Sequence, residues 1–128
     1  MRMFTEVGRR VFPHAAGVGK AILSQLPDER VLEIVRRTGM PGYTPTTITS
    51  EAALLADLQA IRRRGYAIDE GEQEVGVRCY ALPVAGLAMP AAISVSGPEA
   101  RVTLASAPRM VQLLREAGAQ LRAAVPGV

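Results

Sequence analysis

The chain has 128 residues, 48% of them apolar and 21% charged, with a formal net charge of +3. That length suits one domain able to bury its own core, and the balance excludes a disordered chain. Cys79 is the single cysteine, so no intramolecular disulfide forms and a reducing cytoplasm is the expected compartment.

The first residues read as a short strand over 1–4 and a turn over 5–8. Arg2, Glu6, Arg9 and Arg10 stand where the apolar stretch of a secretion signal would lie. Residues 17–26 read as a helix after a glycine-rich entry. Pro27, with Asp28 and Glu29 behind it, opens a second helix carrying Val31, Leu32 and Val35. Arg36 and Arg37 close that helix and Gly39 stops it. Residues 40–48 form a Pro/Gly/Thr loop. Ser50 caps a third helix, whose Leu54, Leu55, Leu58 and Ile61 recur at helical spacing until Gly65.

The period then changes. Residues 66–68 read as a strand, 69–74 as an acidic loop, 75–84 as a β-prone apolar run, and 91–95 as another strand ending at Gly97-Pro98. The apolar stretch over 80–95 is too short for a membrane span and carries Pro83, Gly86 and Pro90. Pro108 starts a final helix with Met110, Val111, Leu114 and Leu121. Helices, then successive strands joined by short turns, then a helix make an α+β fold, an antiparallel sheet with helices packed against it.

Several residues have types suited to chemistry. Gly17-Val18-Gly19-Lys20 is either a tight turn into a helix or a set of free amides suited to an anion. It is not a P-loop, because His14 stands where the first glycine belongs and Ala21 where Ser or Thr belongs. His14 is the only histidine and reads as structural. No Cys/His cluster exists to hold a metal. Cys79, inside a strand, reads as a small buried hydrophobe; catalysis by Cys79 with His14 is the enzymatic alternative. Asp69, Glu70, Glu72 and Glu74 read as an exposed loop, except that Asp69 abuts a strand end and can point inward. Ser94 and Ser96, two apart, share one face of a strand, either a hydrogen-bonding ledge or a solvent face. The paired and tripled arginines read as helix ends in solvent, and no nucleic-acid motif accompanies them.

Five segments then match one family in order. His14-Ala15-Ala16-Gly17-Val18-Gly19-Lys20-Ala21, with Leu23, resembles the H-x-x-x-x-G-K-A-x-L segment of IclR-type bacterial transcription regulators. Tyr43-Thr44-Pro45-Thr46-Thr47-Ile48-Thr49 resembles their Y-T-x-x-T-I-T loop, and Ile61-Arg62-Arg63-Arg64-Gly65-Tyr66-Ala67 with Asp69 their I-R-x-R-G-Y-A-x-D element. Gly76-Val77-Arg78-Cys79 and Ala92-Ile93-Ser94-Val95-Ser96-Gly97-Pro98 supply the remaining two.

The resemblance implies a GAF-like effector-binding domain that takes a small organic acid and modulates DNA binding of a full-length protein. It implies no enzyme and no cofactor, a cytoplasmic location, no membrane contact and a homo-oligomer. Residue by residue, it puts Gly17, Val18 and Gly19 at an anion-binding turn and Asp69 and Cys79 on the pocket wall. It puts Ser94 and Ser96 at a polar ledge, and Val11, Val75 and Val77 in the apolar lining. Phe12-Pro13 replaces the usual Pro-Leu before the histidine, and the hairpin over 84–91 is shorter than usual. The family carries a winged helix-turn-helix, a linker helix and an opening strand in front. The expectation is therefore a single, partial effector domain over 1–128 with no DNA-binding domain and with an unpaired sheet edge that invites self-association. The alternative to a sensor is a structural or dimerisation module with no ligand.

Overall fold

A computed structural model describes residues 12–125. Val11 and the expected strand and turn over 1–8 lie outside the described residues. A 3-10 turn at Pro13–Ala15 leads into α1 (Gly17–Leu23), α2 (Asp28–Thr38) and α3 (Glu51–Arg64). The strands β1 (Ala67–Glu70), β2 (Val77–Val84) and β3 (Ala91–Pro98) follow, and α4 (Ala107–Ala124) closes the order.

The helix boundaries have local chemical causes. Asp28 and Glu29 sit in the first turn of α2 and Arg36 and Arg37 in its last, each sign matched to the macrodipole. The Ser50 hydroxyl accepts the N–H of Ala53 at 3.2 Å and so caps α3. Gly65 ends α3 in the left-handed region (φ 91°), where its N–H reaches the Ile61 carbonyl at 2.7 Å.

The three strands form an antiparallel sheet in the order β1-β2-β3. Alternation along β2 gives each face its own core. Cys79 and Ala81 pack with Ala21 and Leu23 of α1, Val31 and Val35 of α2, and Leu54, Leu58 and Ile61 of α3. Tyr80 and Leu82 pack on the other face with Val102 and with Val111 and Leu114 of α4. The sheet is thus a middle layer between α1–α3 and α4. Tyr80 is fully buried, and its hydroxyl donates to the Thr103 carbonyl at 2.9 Å.

Several boundaries differ from the sequence expectation; the run expected from 75 becomes a strand only at Val77, and α4 starts one residue early, at Ala107. The strand expected over 66–68 is displaced, and β1 continues through Glu70. This brings Asp69 into the ladder opposite Cys79. The acid is tolerated there because its Oδ1 accepts the Glu72 N–H at 2.7 Å. β3 runs on through Gly97, which pairs with Arg78; Val102 Cγ2 stands only 3.0 Å from where a β-carbon at Gly97 would lie. The helix expected over 17–26 stops at Leu23.

Gly19 fixes the depth at which α1 sits. A β-carbon there would lie 2.5 Å from both Cα and O of Pro13, closer than backbone can accept. Gly19→Ala is therefore expected to destabilise the domain by about 1–3 kcal/mol. The change is diagnostic because helix propensity alone favours Ala by about 1 kcal/mol. Urea unfolding followed by circular dichroism measures it; an unchanged or raised midpoint would contradict the close approach.

Candidate functional site

Gly17, the first residue of α1, lies directly over β2. A β-carbon at Gly17 would stand 2.8 Å from Cys79 Sγ, 3.5 Å from Cys79 Cβ and 3.6 Å from Ala81 Cβ. No side chain other than a hydrogen fits between helix and strand at this point. Ala16 precedes the helix and offers no side-chain cap, so the first-turn amides of α1 take no hydroxyl or carboxylate from their own cap.

β3 brings the two serines to the same place. Ser96 pairs with Cys79 and Ser94 with Ala81 across the ladder. Cys79 is 5% exposed, whereas both serines are themselves exposed. Burial raises the Cys79 pKa above its ordinary value, and the Ser96 and Ser94 hydroxyls beside it offset this only in part, so the thiol is held neutral. His14, the sole imidazole, is fully buried, with Nε2 2.8 Å from the Pro41 carbonyl.

The remaining sequence-derived candidates spread outward. Val18 is half-buried and packs against the α1–α3 core. Gly19 is buried with its open side filled by Pro13. Val77 is buried at the start of β2, and Val75 is 68% exposed in the turn before it. Asp69 is 5% exposed and one ladder position from the serines, opposite Cys79.

Lys20 holds the arrangement together, and residue-level reading of the sequence did not single it out. Its ammonium is 1% exposed and donates to Asp57 Oδ2 at 2.7 Å and the Ile68 carbonyl at 2.8 Å, with Glu72 Oε1 at 2.9 Å. Two hydrogen bonds and one ion pair thereby join α1, α3, β1 and the β1–β2 loop. Burial alone would lower the lysine pKa, but Glu72 and Asp57 outweigh it and the pKa is raised. The same contacts bury Glu72, which the sequence placed in an exposed acidic loop. The backbone of that loop is gripped from the other side. Thr44 Oγ1 donates to the Gly71 carbonyl at 2.6 Å, Thr46 Oγ1 to the Glu70 carbonyl at 3.0 Å, and Thr47 Oγ1 to the Glu72 carbonyl. The one available signal was the unusual placement of a lysine inside an otherwise apolar helix.

Among the described residues, no group of three or more His, Cys, Asp or Glu is placed to hold a metal ion. Among them too, no helix is long and apolar enough to cross a membrane.

Two expectations follow. Gly17→Ala forces the new methyl onto Cys79 Sγ and costs about 1–3 kcal/mol of stability. In a Cys79→Ala background the obstructing sulfur is gone and most of that cost disappears. A double-mutant cycle measures this, with a coupling of about 1 kcal/mol or more expected and strict additivity the contrary result. The second concerns pH. Burial, with the Glu72 carboxylate adding to it, pushes Asp69 up to about 6, although the N–H groups of Glu72 and Gln73 and the Lys20 charge pull the other way. The folded state holds this proton more tightly than the unfolded chain. The associated stability is therefore present in full below about pH 4 and lost as pH rises through about 6. Asp69→Asn removes that loss. The stability of the variant relative to the parent should rise between pH 4 and 7 by roughly 2–3 kcal/mol, at about 1.36 kcal/mol per unit. Parallel unfolding curves across this range would refute the assignment.

The comparisons with known proteins bear on the family and the fold. Residues 1–123 match the family model described as the bacterial transcriptional regulator IclR C-terminal domain. The HTH-type transcriptional repressor AllR of Escherichia coli K12 is 41% identical over 106 residues, covering 80% of this chain and 39% of the relative. The chain thus spans well under half the length of that relative. Among solved structures, the inducer-binding domain of a double mutant of the PobR transcription factor from Acinetobacter, in complex with 3-hydroxybenzoic acid, superposes with a TM-score of 0.81 at 35% identity. That match covers 90% of this chain and 67% of the solved inducer-binding-domain chain. The C-terminal domain of the E. coli regulator KdgR gives 0.83 at 33% identity, covering 91% and 72%. By sequence and by fold alike, the chain belongs to the C-terminal domain family of IclR-type bacterial transcriptional regulators.

Proposed function

We propose that this domain senses a small organic carboxylate, seated where the start of α1 meets the serine ledge of β3. One observation carries the reading: two exposed hydroxyls, Ser94 and Ser96, stand beside a floor of small side chains at Gly17, Cys79 and Ala81. The floor is closed by α1 itself, and beside it the hydroxyls and the uncapped amides of Gly17, Val18 and Gly19 supply donors suited to a carboxylate. Val77, two residues before Cys79 on β2, adds apolar surface beside them. Asp69, buried opposite Cys79, bounds the site on the β1 side, and its raised pKa lessens its negative charge toward a carboxylate ligand as pH falls toward 6. The 3-hydroxybenzoic acid of the related PobR domain supports the chemical class.

The domain performs no catalysis. A thiol held neutral is a poor nucleophile, and the imidazole that would serve it is tied to Pro41. Binding biases one arrangement of the sheet and its helices over another, and this preference reaches DNA through a helix-turn-helix element outside the single effector domain described here. The protein works in the cytoplasm as a homo-oligomer.

Titration of the nitrogen-15-labelled chain with 3-hydroxybenzoate and a panel of other small carboxylic acids tests this. Saturating amide shifts at Gly17, Val18, Ser94 and Ser96 are expected with at least one acid, together with a concentration-dependent rise in Tm. Ser96→Ala should weaken binding about three- to tenfold, the worth of one hydrogen bond. A dispersed spectrum that no acid moves would reduce the domain to a structural or dimerisation module.

A further inference from the structure

The opposite face of the sheet carries a second cavity, of about 170 Å³, between the β2–β3 hairpin and α4. Leu82, Val84, Ile93 and Leu114 form its apolar walls. Its existence follows from the sequence of α4. Gly118 and Ala119 present little or no side chain, and a β-carbon at Gly118 would already lie 3.5 Å from Ile93 Cδ1 and 3.8 Å from Val84 Cγ2. Larger residues there would fill the space.

The same helix places a cation on either side of the gap. Arg115 and Arg122 both line the cavity, seven residues and so about 10 Å apart along α4. Neither guanidinium has a hydrogen-bond or ion-pair partner among the described residues, and no carboxylate lines the cavity. Arg122 is exposed but lies against the protein. Its guanidinium packs on the hairpin at Gly86 (φ 83°), where a β-carbon would stand 2.7 Å from Nε. Arg115 Nη2 lies beside Gly65, at the α3–β1 junction. A guanidinium at the mouth of an apolar slot suits a carboxylate with a hydrocarbon body.

We propose that this cavity is a second ligand site, distinct from the serine ledge, that binds a small amphipathic monocarboxylate with its hydrocarbon against Leu82, Val84, Ile93 and Leu114 and its carboxylate on Arg122. At about 30 Å³ per water-sized unit the space holds a short chain or a single ring, not a larger ligand. Because the two sites lie on opposite faces of the same strands, occupancy of each is separable by the residues that report it.

Hexanoate is the probe, with 1-hexanol as the uncharged control, followed by amide shifts of the labelled 128-residue chain. Hexanoate is expected to give saturable shifts at Val84, Ile93 and Gly118 at a dissociation constant of about 0.1–10 mM, as befits a ligand this small. Hexanol should bind at least about fivefold more weakly. Arg122→Gln should weaken hexanoate by about fivefold or more. Gly118→Ala, a change that favours the helix, should weaken it by taking up space while the fold is kept. Unmoved Val84, Ile93 and Gly118 amides, equal binding of hexanoate and hexanol, unchanged affinity in Arg122→Gln, or shifts confined to Gly17, Ser94 and Ser96 would each overturn the proposal.

Discussion

The buried ammonium of Lys20 is the constraint around which the rest of the domain is arranged. A lysine taken out of water is costly unless every donor is engaged and its charge is met. Here Asp57 and the Ile68 carbonyl accept from it, and the Asp57 and Glu72 carboxylates meet its charge. Meeting that demand requires α3 to pass close to α1, β1 to turn the Ile68 carbonyl toward the helix, and the β1–β2 loop to fold back over it. The threonine clasp from Thr44 to Thr47 holds the same loop from outside. Removing the lysine charge would leave Glu72 buried beside Asp69 with nothing to balance either acid.

This network explains why separated stretches of sequence resemble one family together. The segment containing His14 and Lys20, the threonine loop, and the Gly65-Tyr66-Ala67 stretch with Asp69 are far apart in the chain and adjacent in space. His14 fixes the loop before Tyr43 through the Pro41 carbonyl, Lys20 fixes Glu72, and the threonines fix the backbone between Glu70 and Glu72. The candidate site rests on this frame, since Gly17 belongs to the helix that Lys20 anchors.

Local chemistry made much of the fold legible. Ser50 and Gly65 marked the ends of α3, and the acidic start and basic end of α2 marked that helix. Alternation marked Ser94 and Ser96 as sharing a face, and the ladder then set them opposite Ala81 and Cys79. What stayed hidden depended on long-range pairing. A run of four acids looks like a solvated loop until a lysine fifty residues earlier is known to lie beneath it. For the same reason Glu72 read as exposed, and β1 ended too soon. The second cavity was equally invisible, because a Gly-Ala step in a helix reads as weak packing until the strand opposite it is placed.

The contact between Gly17 and Cys79 has a mechanical consequence. Protein interiors yield mostly through rotamer changes and small shifts of side chains, which act as a compliant layer between backbones. At this point there is no such layer: helix backbone rests on a strand side chain with nothing to deform. Any displacement of β2 toward α1 is therefore passed on at nearly full amplitude, as through a rigid strut, whereas the side-chain-filled contacts elsewhere in the core would absorb it.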